Sequence, residues 1–208
     1  MKWAIFSDIQ GNLRALEQFF ANVNADRFYC LGDIVQHGKT FDENRVVDLL
    51  IERKVLCVAG NHDSGLVTKF RASPDRFPLI LPETVEYLGA LGDELTNIII
   101  PGRNIHLSHY GHSMSQRVFT TQEALSEFEV MVERGIRIAF LGHSHKQFVF
   151  SREGNGRILE EQLGKPVILR DKKTYLVNPG TLGAYGDVQH TYATFDPQRG
   201  VVEIKQLQ

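Results

Sequence analysis

The chain has 208 residues, which is enough for one domain with a substantial core and short for two. Hydrophobic residues make up 42% and charged residues 23%, which is typical of a soluble globular protein. The net charge is −2 and the Lys and Arg residues are scattered, so the composition argues against a basic surface that binds nucleic acid.

Two further features bear on the compartment of the protein. Cys30 and Cys57 each lie in a short apolar run with no partner at metal-ligand spacing, and we interpret both as small core residues. The N-terminus has no basic segment followed by an apolar stretch and a cleavage site, and no apolar run is long enough to span a bilayer. We therefore expect a cytoplasmic protein that has no structural disulfide and enters no membrane.

The first part of the chain alternates short apolar strands with amphipathic helices. Strands are predicted at "WAIFSD", "RFYCLGD" and "VLCVAGN", and helices at "NLRALEQFFANV" and "DENRVVDLLIERK". This alternation is typical of a parallel sheet that helices cover. The strands end in Asp8, Asp33 and Asn61. Because functional crevices of such sheets lie at the carboxyl ends of the strands, the sequence predicts that these three side chains meet.

The segment from Ser64 to Leu91 is predicted to be a loop followed by a helix. The run "PETVEYLGAL" has helical periodicity, and Pro82 suits its first turn. Two strand-like runs, "TNIII" and "NIHLSH", come next, and Pro101 and Gly102 provide the turn chemistry of a hairpin between them.

The rest of the chain combines one helix with many strands. An amphipathic helix is predicted at "TQEALSEFEVMVERG", with Thr121 or Gln122 as its cap, followed by a buried strand at "IRIAFLGHSH". The later runs "KQFVFS", "PVILR", "KTYLVNPG", "TYATFD" and "VVEIKQL" predict a second, largely antiparallel sheet. Residues 152–173 fit a loop, an extra hairpin or a contact surface. The predicted fold is α/β, a four-layer α-β-β-α sandwich with two mixed sheets packed face to face and flanking helices, in a single domain over residues 1–208.

Five clusters of polar residues follow apolar runs, and any one of them alone means little. A strand-end Asp is often a turn or cap residue, and a lone His is more often structural than a metal ligand. Five clusters in one small domain are different, because carboxylate oxygens, amide oxygens and imidazole nitrogens together suit Mn, Fe or Zn ions. The clusters are Asp8 with Gln10, Asp33, Asn61 with His62, His109, and His143 with His145.

The order and spacing of these clusters resemble a known family. The motifs "SDIQGN", "LGDIVQHG", "AGNHD", "LSHYGH" and "LGHSH" are similar to the five blocks of the calcineurin-like metallophosphoesterases. "VNPGTLGAYGD" resembles a further block of the small bacterial and archaeal phosphodiesterase-like branch, so the resemblance covers nearly the whole chain. It implies a single metallophosphoesterase domain that uses two divalent ions, with Mn as the expected ion and Fe, Zn, Ni or Mg as alternatives.

The resemblance also implies a role for each motif residue. Asp33 would bridge the two ions, because a carboxylate has two oxygens and the charge to hold two cations close together. The ions would clamp the phosphoryl group, and metal-bound hydroxide would attack it. His62 would not bind metal but would contact a phosphoryl oxygen or protonate the leaving group, so the implied catalytic residues are His62 and Asp33. The other ligands would be Asp8, Gln10 and His145 at the first ion and Asn61, His109 and His143 at the second.

Gln10 stands where the most familiar pattern of the family has His. An amide oxygen is a neutral and harder ligand, so we expect an altered metal preference, toward Mn or Mg, rather than a lost ion. The manganese-dependent ADP-ribose and CDP-alcohol diphosphatases are similar in having Asp-x-Gln, which implies a nucleotide pyrophosphatase or dinucleoside polyphosphate hydrolase as an alternative. The other alternative is a non-catalytic scaffold with the same fold, in which Gln10 would mark loss of the site.

Three residues are candidates for substrate binding: His62, Asn12 and His37. Asn12 is predicted to cap or begin the first helix, whose amide end would face the phosphate. His37 either reaches the mouth of the site or is a solvated loop residue. Gln36 and His37 stand where the protein phosphatases have Asp-Arg, and Asp63 where they usually have Glu. Since Gln36 cannot orient a catalytic His with a charge, this departure argues against a Ser/Thr protein phosphatase.

Several other residues near the motifs leave two interpretations open. His106 is expected to point away from the site and His112 to lie near it without binding metal. Tyr110 and Tyr185 either stack on a nucleobase or are ordinary exposed aromatics, and the "NPGT" run forms either a pocket wall or a simple turn. The expected partner is a small phosphoester or nucleotide, with no nucleic acid or membrane. The physiological substrate and a homo-oligomer stay open.

Overall fold

The predicted elements fall into two sheets and five helices within the part of the chain that the computed structural model describes. The described residues are 1–100, 103–111, 118–183 and 189–208. The predicted turn at Pro101 and Gly102 lies outside them, as do His112 and Tyr185. Within these ranges no helix combines the length and the apolar character that a membrane crossing requires.

The first sheet begins with three parallel strands, as predicted, and continues with three antiparallel ones. In spatial order its strands are β3 (Leu56–Cys57), β2 (Arg27–Cys30), β1 (Trp3–Phe6), β11 (Thr191–Asp196), β12 (Val201–Gln206) and β9 (Val167–Ile168). Cys30 and Cys57 are neighbours on β2 and β3, and both are buried free thiols. Their interpretation as core residues is confirmed.

The second sheet is mixed, with its parallel strands at the centre. In spatial order its strands are β4 (Glu94–Ile100), β5 (Arg103–Ser108), β6 (Ile138–Leu141), β10 (Lys173–Asn178), β7 (Phe148–Glu153) and β8 (Leu159–Glu160). The prediction that all later strands join this sheet is wrong, because β9, β11 and β12 return to the first sheet. Periodicity identifies a strand but not its partner. On β11, Ala193 and Phe195 face the same core as Trp3 and Ile5 of β1.

The four predicted layers are confirmed by the side chains of the strands. On β1, Trp3 and Ile5 pack into the core between the sheets, while Ala4 and Phe6 pack against helices on the outer face. The helices of that face are α1 (Leu13–Asn22), α2 (Asp42–Glu52), α3 (Asn61–Ala72) and α4 (Pro82–Gly89). The fifth helix, α5 (Ala124–Glu133), covers the outer face of the second sheet.

Two helix starts differ from the sequence prediction. Helix α3 begins at Asn61, four residues after the end of β3, and runs through the start of the segment that was expected to be a loop from Ser64. Helix α5 begins at Ala124, and neither Thr121 nor Gln122 caps it, so that prediction is wrong. Thr120, one residue before Thr121, forms a capping box with Glu123 instead. The backbone N–H of Thr120 donates to the Glu123 carboxylate at 2.9 Å, and the backbone N–H of Glu123 donates to the Thr120 hydroxyl at 3.3 Å. Pro82 lies in the first turn of α4, as predicted.

Residues 152–173 connect the edges of the two sheets. Strand β8 pairs antiparallel with β7, which confirms the extra hairpin among the three interpretations. The chain then crosses to the first sheet, where β9 pairs with β12. A role of this segment as a contact surface stays a prediction.

Candidate metal centre

The predicted site residues lie just past the carboxyl ends of five strands. Asp8 follows β1, Asp33 follows β2 and Asn61 follows β3. On the second sheet, His109 follows β5, while His143 and His145 follow β6. Strands β1 to β3 are parallel to one another, as are β5 and β6, so the polar ends of each set lie at one end of its sheet.

Two groups of donor atoms form where these strand ends meet, and they share one carboxylate. The ligand atoms of each group lie within 4.8 Å of one another. Asp33 is common to both groups and is 1% exposed. The groups are Asp8, Asp33 and His145, and Asp33, His109 and His143. The structure thus brings the carboxylates and imidazoles together in the arrangement that the resemblance implies, while metal binding itself stays a prediction.

The two predicted amide ligands each lie beside one group. The Oδ1 atom of Asn61 is 3.2 Å from Nε2 of His109, and Nε2 of Gln10 is 3.2 Å from Nε2 of His145. Amide oxygen and nitrogen occupy equivalent positions after a rotation of the terminal bond, so Gln10 can present its oxygen to the same point. The seven predicted ligands therefore all surround one centre.

The backbone at the centre is held in an uncommon conformation. Among the described residues, seven other than glycine have a φ between 50° and 76°, a left-handed region that L residues enter at a free-energy cost. Five of them are predicted ligands: Asp8, Gln10, Asp33, His143 and His145. Backbone hydrogen bonds of 2.9 Å, from Asp8 to Gly32 and from Gln10 to Asp33, hold two of these turns. Such strain concentrates at functional sites because it aims side chains at one point.

Asp8 and Asp33 offer buried oxygens that suit cations. Oδ1 of Asp8 accepts no hydrogen bond from the residues that the structure describes, and it lies 3.1 Å from Nε2 of His145. This placement suits two atoms that bind the same cation. Burial would raise the pKa of Asp33, but the hydrogen bond and charge of His109 and the contacts from His62 lower it on balance. Asp33 is therefore ionised at neutral pH, and hard oxygens with imidazole nitrogens fit divalent ions.

His109 is held in the tautomer that a metal ligand needs. It is fully buried, and its Nδ1–H donates to the carbonyl of Leu31 at 2.7 Å. Its Nε2 then faces Asp33 Oδ1 at 3.4 Å. Burial alone would lower the pKa of His109, but the Asp33 hydrogen bond and the charges of Asp8 and Asp33 raise it to about 9. A backbone carbonyl that fixes the ring in this way is the usual support of a metal-binding His.

This pKa predicts how the stability of the metal-free protein depends on pH. The folded value of about 9 exceeds the ordinary 6.5, so the contribution of His109 is complete below pH 6.5 and is lost as the pH rises through 9. A shift of this size corresponds to roughly 3 kcal/mol of unfolding free energy. Chemical denaturation in chelator across this range should show the decline. The His109→Gln variant should lack it, and an equal decline in that variant would contradict the assignment.

His62 lies at the centre but in neither donor group. Its backbone N–H donates to Oδ1 of Asp33 at 2.9 Å, which ties the start of α3 to the shared carboxylate. The ring is stacked on that of His37, with centroids 4.2 Å apart and planes inclined by 25°. His37 is therefore packed against another imidazole rather than solvated on all sides.

The remaining candidates have separate positions. Asn12 caps α1 by accepting the N–H of Ala15 at 3.1 Å, which confirms the cap, while its contact with substrate stays a prediction. His106 is buried, with Nε2 3.0 Å from the hydroxyl of Ser108, and belongs to neither donor group. Tyr110 packs edge-on against His109 at 4.8 Å, so it contacts a predicted ligand; stacking on a nucleobase is untested.

The "NPGT" turn supports the site from the second sheet. Nδ2 of Asn178 donates to the carbonyl of Gly142 at 2.7 Å, just before His143. The hydroxyl of Thr181 donates to the carbonyl of Asp8 at 2.9 Å. This turn therefore holds the backbones of two ligand loops, a role that its sequence did not reveal.

Asp63 is a further supporting residue that sequence reasoning missed. Its Oδ1 accepts the N–H groups of Ile34 at 2.9 Å and Val35 at 3.0 Å, and its Oδ2 accepts that of Gly60 at 2.8 Å. Burial and the charge of Asp33 raise its pKa to about 7, against these N–H donors. The carboxylate joins the loop after β2 to the start of α3. Its place three residues after Gly60, where capping-box acids occur, was the available signal.

Asp63→Ala should destabilise the protein severely. It would leave three buried backbone N–H groups without an acceptor, which corresponds to roughly 3–5 kcal/mol of unfolding free energy. Urea denaturation measures the loss, with the exposed Asp93→Ala as the matched control. A loss equal to that of the control would show that Asp63 does not support these loops.

The sandwich and the shared-carboxylate cluster define a class, an α/β protein with a candidate dinuclear metal centre between two sheets. A family model described as the calcineurin-like phosphoesterase superfamily domain matches residues 1–200. The chain belongs to this family, whose members are metal-dependent phosphoesterases, as the motifs predict.

Known relatives agree with this assignment. An uncharacterized protein of Methanocaldococcus jannaschii is 32% identical to this chain, in an alignment that covers 99% of this chain and 86% of that protein. The solved metallophosphoesterase from Sphaerobacter thermophilus superposes with a TM-score of 0.76 at 22% identity, covering 100% of this chain and 89% of that chain. An archaeal phosphodiesterase superposes with a TM-score of 0.57 at 17% identity, covering both chains fully (100%). At these identities the two structures show the shared fold.

Proposed function

We propose that this protein is a phosphodiesterase that hydrolyses a small phosphodiester at a two-metal centre. The observation that carries the proposal is the pair of donor groups that share the buried Asp33. Two divalent ions bound there would neutralise phosphoryl charge and lower the pKa of a water molecule.

His62 is the residue that the chain itself offers to the substrate. Its side chain is 18% exposed, whereas the side chain of the neighbouring Asp33 is 2% exposed, so His62 is the more accessible of the two. From that place the imidazole would donate a hydrogen bond to a phosphoryl oxygen or a proton to the leaving oxygen. The hydrogen bond from the backbone N–H of His62 to Asp33 holds His62 beside the predicted metal centre.

The charge of the site favours a diester over a monoester. A phosphodiester carries one negative charge and a monoester carries two at neutral pH. None of the eight motif residues is Arg or Lys, so these residues add no fixed cation to the charge of the ions. A monoanionic substrate therefore suits the site better, and the fold shared with an archaeal phosphodiesterase is consistent with this choice.

Hydrolysis of two chromogenic esters tests the proposal. Bis-p-nitrophenyl phosphate should be cleaved in the presence of Mn, Co, Ni or Mg and not in chelator. The monoester p-nitrophenyl phosphate should be cleaved more slowly under the same conditions. Faster cleavage of the monoester would overturn the diester assignment. The absence of any metal-dependent cleavage would favour the scaffold alternative, in which the fold serves only binding.

The Asp-x-Gln sequence at Gln10 favours a second activity, hydrolysis of a nucleotide pyrophosphate bond. A substrate panel separates the two candidates. ADP-ribose or diadenosine tetraphosphate cleaved faster than cyclic nucleotides and chromogenic diesters would favour the second candidate. The reverse order would favour the phosphodiesterase.

Substitutions at Gln10 test whether its amide serves as a ligand. Gln10→Ala should lower the metal content from two ions per chain to one, because the group with Asp8 and His145 loses a donor. Gln10→His should keep two ions and shift the preferred metal toward Zn, a softer ion. Elemental analysis after dialysis measures both, with the exposed Gln122→Ala as control. Two ions retained in Gln10→Ala would exclude Gln10 as a ligand.

A further inference from the structure

A buried glutamate organises the loop that leads from β2 to α2. Glu43 lies in the first turn of α2 and is 1% exposed. Its carboxylate accepts four backbone N–H groups from residues 36–40, here called the 36–40 loop. The donors are Gln36 at 3.1 Å and Gly38 at 2.9 Å to Oε2, and Lys39 at 2.8 Å and Thr40 at 3.4 Å to Oε1. Both oxygens of a buried charge are thus used to hold one short loop.

The 36–40 loop needs this support because its backbone is strained. His37 has a φ of 76° and Gly38 one of 69°, so two successive residues lie in the left-handed region. For His37 this conformation is unfavourable, and it persists only where neighbouring contacts hold it. The N–H groups on both sides of His37 donate to Glu43. Glu43 therefore holds the backbone on both sides of His37.

The side chain of His37 packs against that of His62. The rings are stacked at a centroid distance of 4.2 Å. Among the described residues, Nδ1 of His62 is buried without a hydrogen-bond partner. Nε2 lies 3.9 Å from Asp33 Oδ2, which is beyond hydrogen-bond distance, so hydrogen bonds within the described part of the chain do little to orient the ring. The stacked ring of His37 is a direct contact that supports the ring of His62. Burial and the charge of His62 lower the pKa of His37, which favours a neutral ring beside His62.

We propose that Glu43 and His37 are positioning residues for His62. Glu43 fixes the 36–40 loop, the loop holds His37, and the ring of His37 holds the ring of His62 in the orientation that delivers a proton to the leaving oxygen. A stacked imidazole thus takes the place of the charged partner that Gln36 does not supply. This inference rests on the proposed function, in which His62 assists the leaving group.

Leaving groups of different basicity test this role. The p-nitrophenolate ion leaves without a proton, whereas the more basic phenolate needs one, so only the second reports on the placement of an acid. His37→Ala should lower kcat for diphenyl phosphate about tenfold more than for bis-p-nitrophenyl phosphate. His37→Phe restores a flat ring at the same backbone position and should recover most of the loss. Metal content should stay at two ions in both variants.

Glu43→Gln tests whether the Glu43 carboxylate fixes the 36–40 loop and thereby the ring of His37. The variant keeps the shape of the side chain but turns an acceptor toward the loop into an N–H donor. It should show the same dependence on the leaving group as His37→Ala. The matched control is Glu52→Gln on the exposed face of the same helix, which should leave kcat unchanged. Thermal melting of Glu43→Gln separates global unfolding from a local displacement of the loop.

The results that would overturn the inference differ from those that would overturn the proposed function. Equal losses for both esters in His37→Ala, or failure of His37→Phe to recover activity, would show that His37 does not position the acid. If His62→Ala itself loses activity equally on both esters, the proposed role of His62 is wrong and the inference falls with it. A third outcome would overturn the inference and leave the proposed function standing. In it, His62→Ala loses more activity on diphenyl phosphate than on bis-p-nitrophenyl phosphate, whereas His37→Ala loses the same on both.

Discussion

Asp33→Asn will abolish most of the hydrolytic activity while the fold stays intact. Only a carboxylate with two charged oxygens can hold two cations close together, and Asp33 is the residue that both donor groups share. Asparagine keeps an oxygen that can accept the N–H of His62, so the start of α3 should be preserved. We expect kcat/KM to fall on the order of 10²- to 10³-fold or more.

The experiment pairs activity with metal content. Elemental analysis should show two ions in the parent protein and one or none in Asp33→Asn. The matched control is Asp48→Asn, an exposed carboxylate on α2 whose side chain is 59% accessible. Two bound ions and full turnover in Asp33→Asn would show that Asp33 is not the bridge.

His62→Ala is the second large effect, and it should separate catalysis from metal binding. His62 lies beside Asp33 but in neither donor group, so its removal should leave two ions in place. The lost hydrogen bond or proton should lower kcat by about 10²- to 10⁴-fold. His143→Ala provides the contrast, because it removes a member of the second donor group and should lower the metal content. Loss of an ion in His62→Ala would place His62 among the ligands instead.

The meeting of Asp8, Asp33 and Asn61 could be predicted from strand periodicity, whereas the full set of predicted ligands depended on the resemblance to the family. Asp8 and Asp33 come after short apolar runs, and parallel strands bring such ends to one edge. The left-handed backbone that aims these residues was not predictable, because aspartate and glutamine carry no sign of it in the sequence. The place of β11 in the first sheet was not predictable either, because its pairing with β1 joins residues that are far apart in the sequence.

The supporting residues were hidden for a different reason. Glu43 and Asp63 each accept several backbone N–H groups while buried, yet in the sequence they look like ordinary acids at the start of a helix. The spacing of Asp63 from Gly60 is a local signal of a helix start, but no local signal shows that either carboxylate also holds the loop after β2. The stacking of His37 on His62 likewise joins residues that are far apart in the sequence.

The most direct test of the shared-carboxylate centre is a crystal structure of the protein soaked in Mn, with anomalous scattering recorded. The account predicts two anomalous peaks about 3.5–4 Å apart, on either side of the Asp33 carboxylate. One peak should contact Asp8 and His145, and the other His109 and His143. A single peak, or two peaks that do not share Asp33, would contradict it.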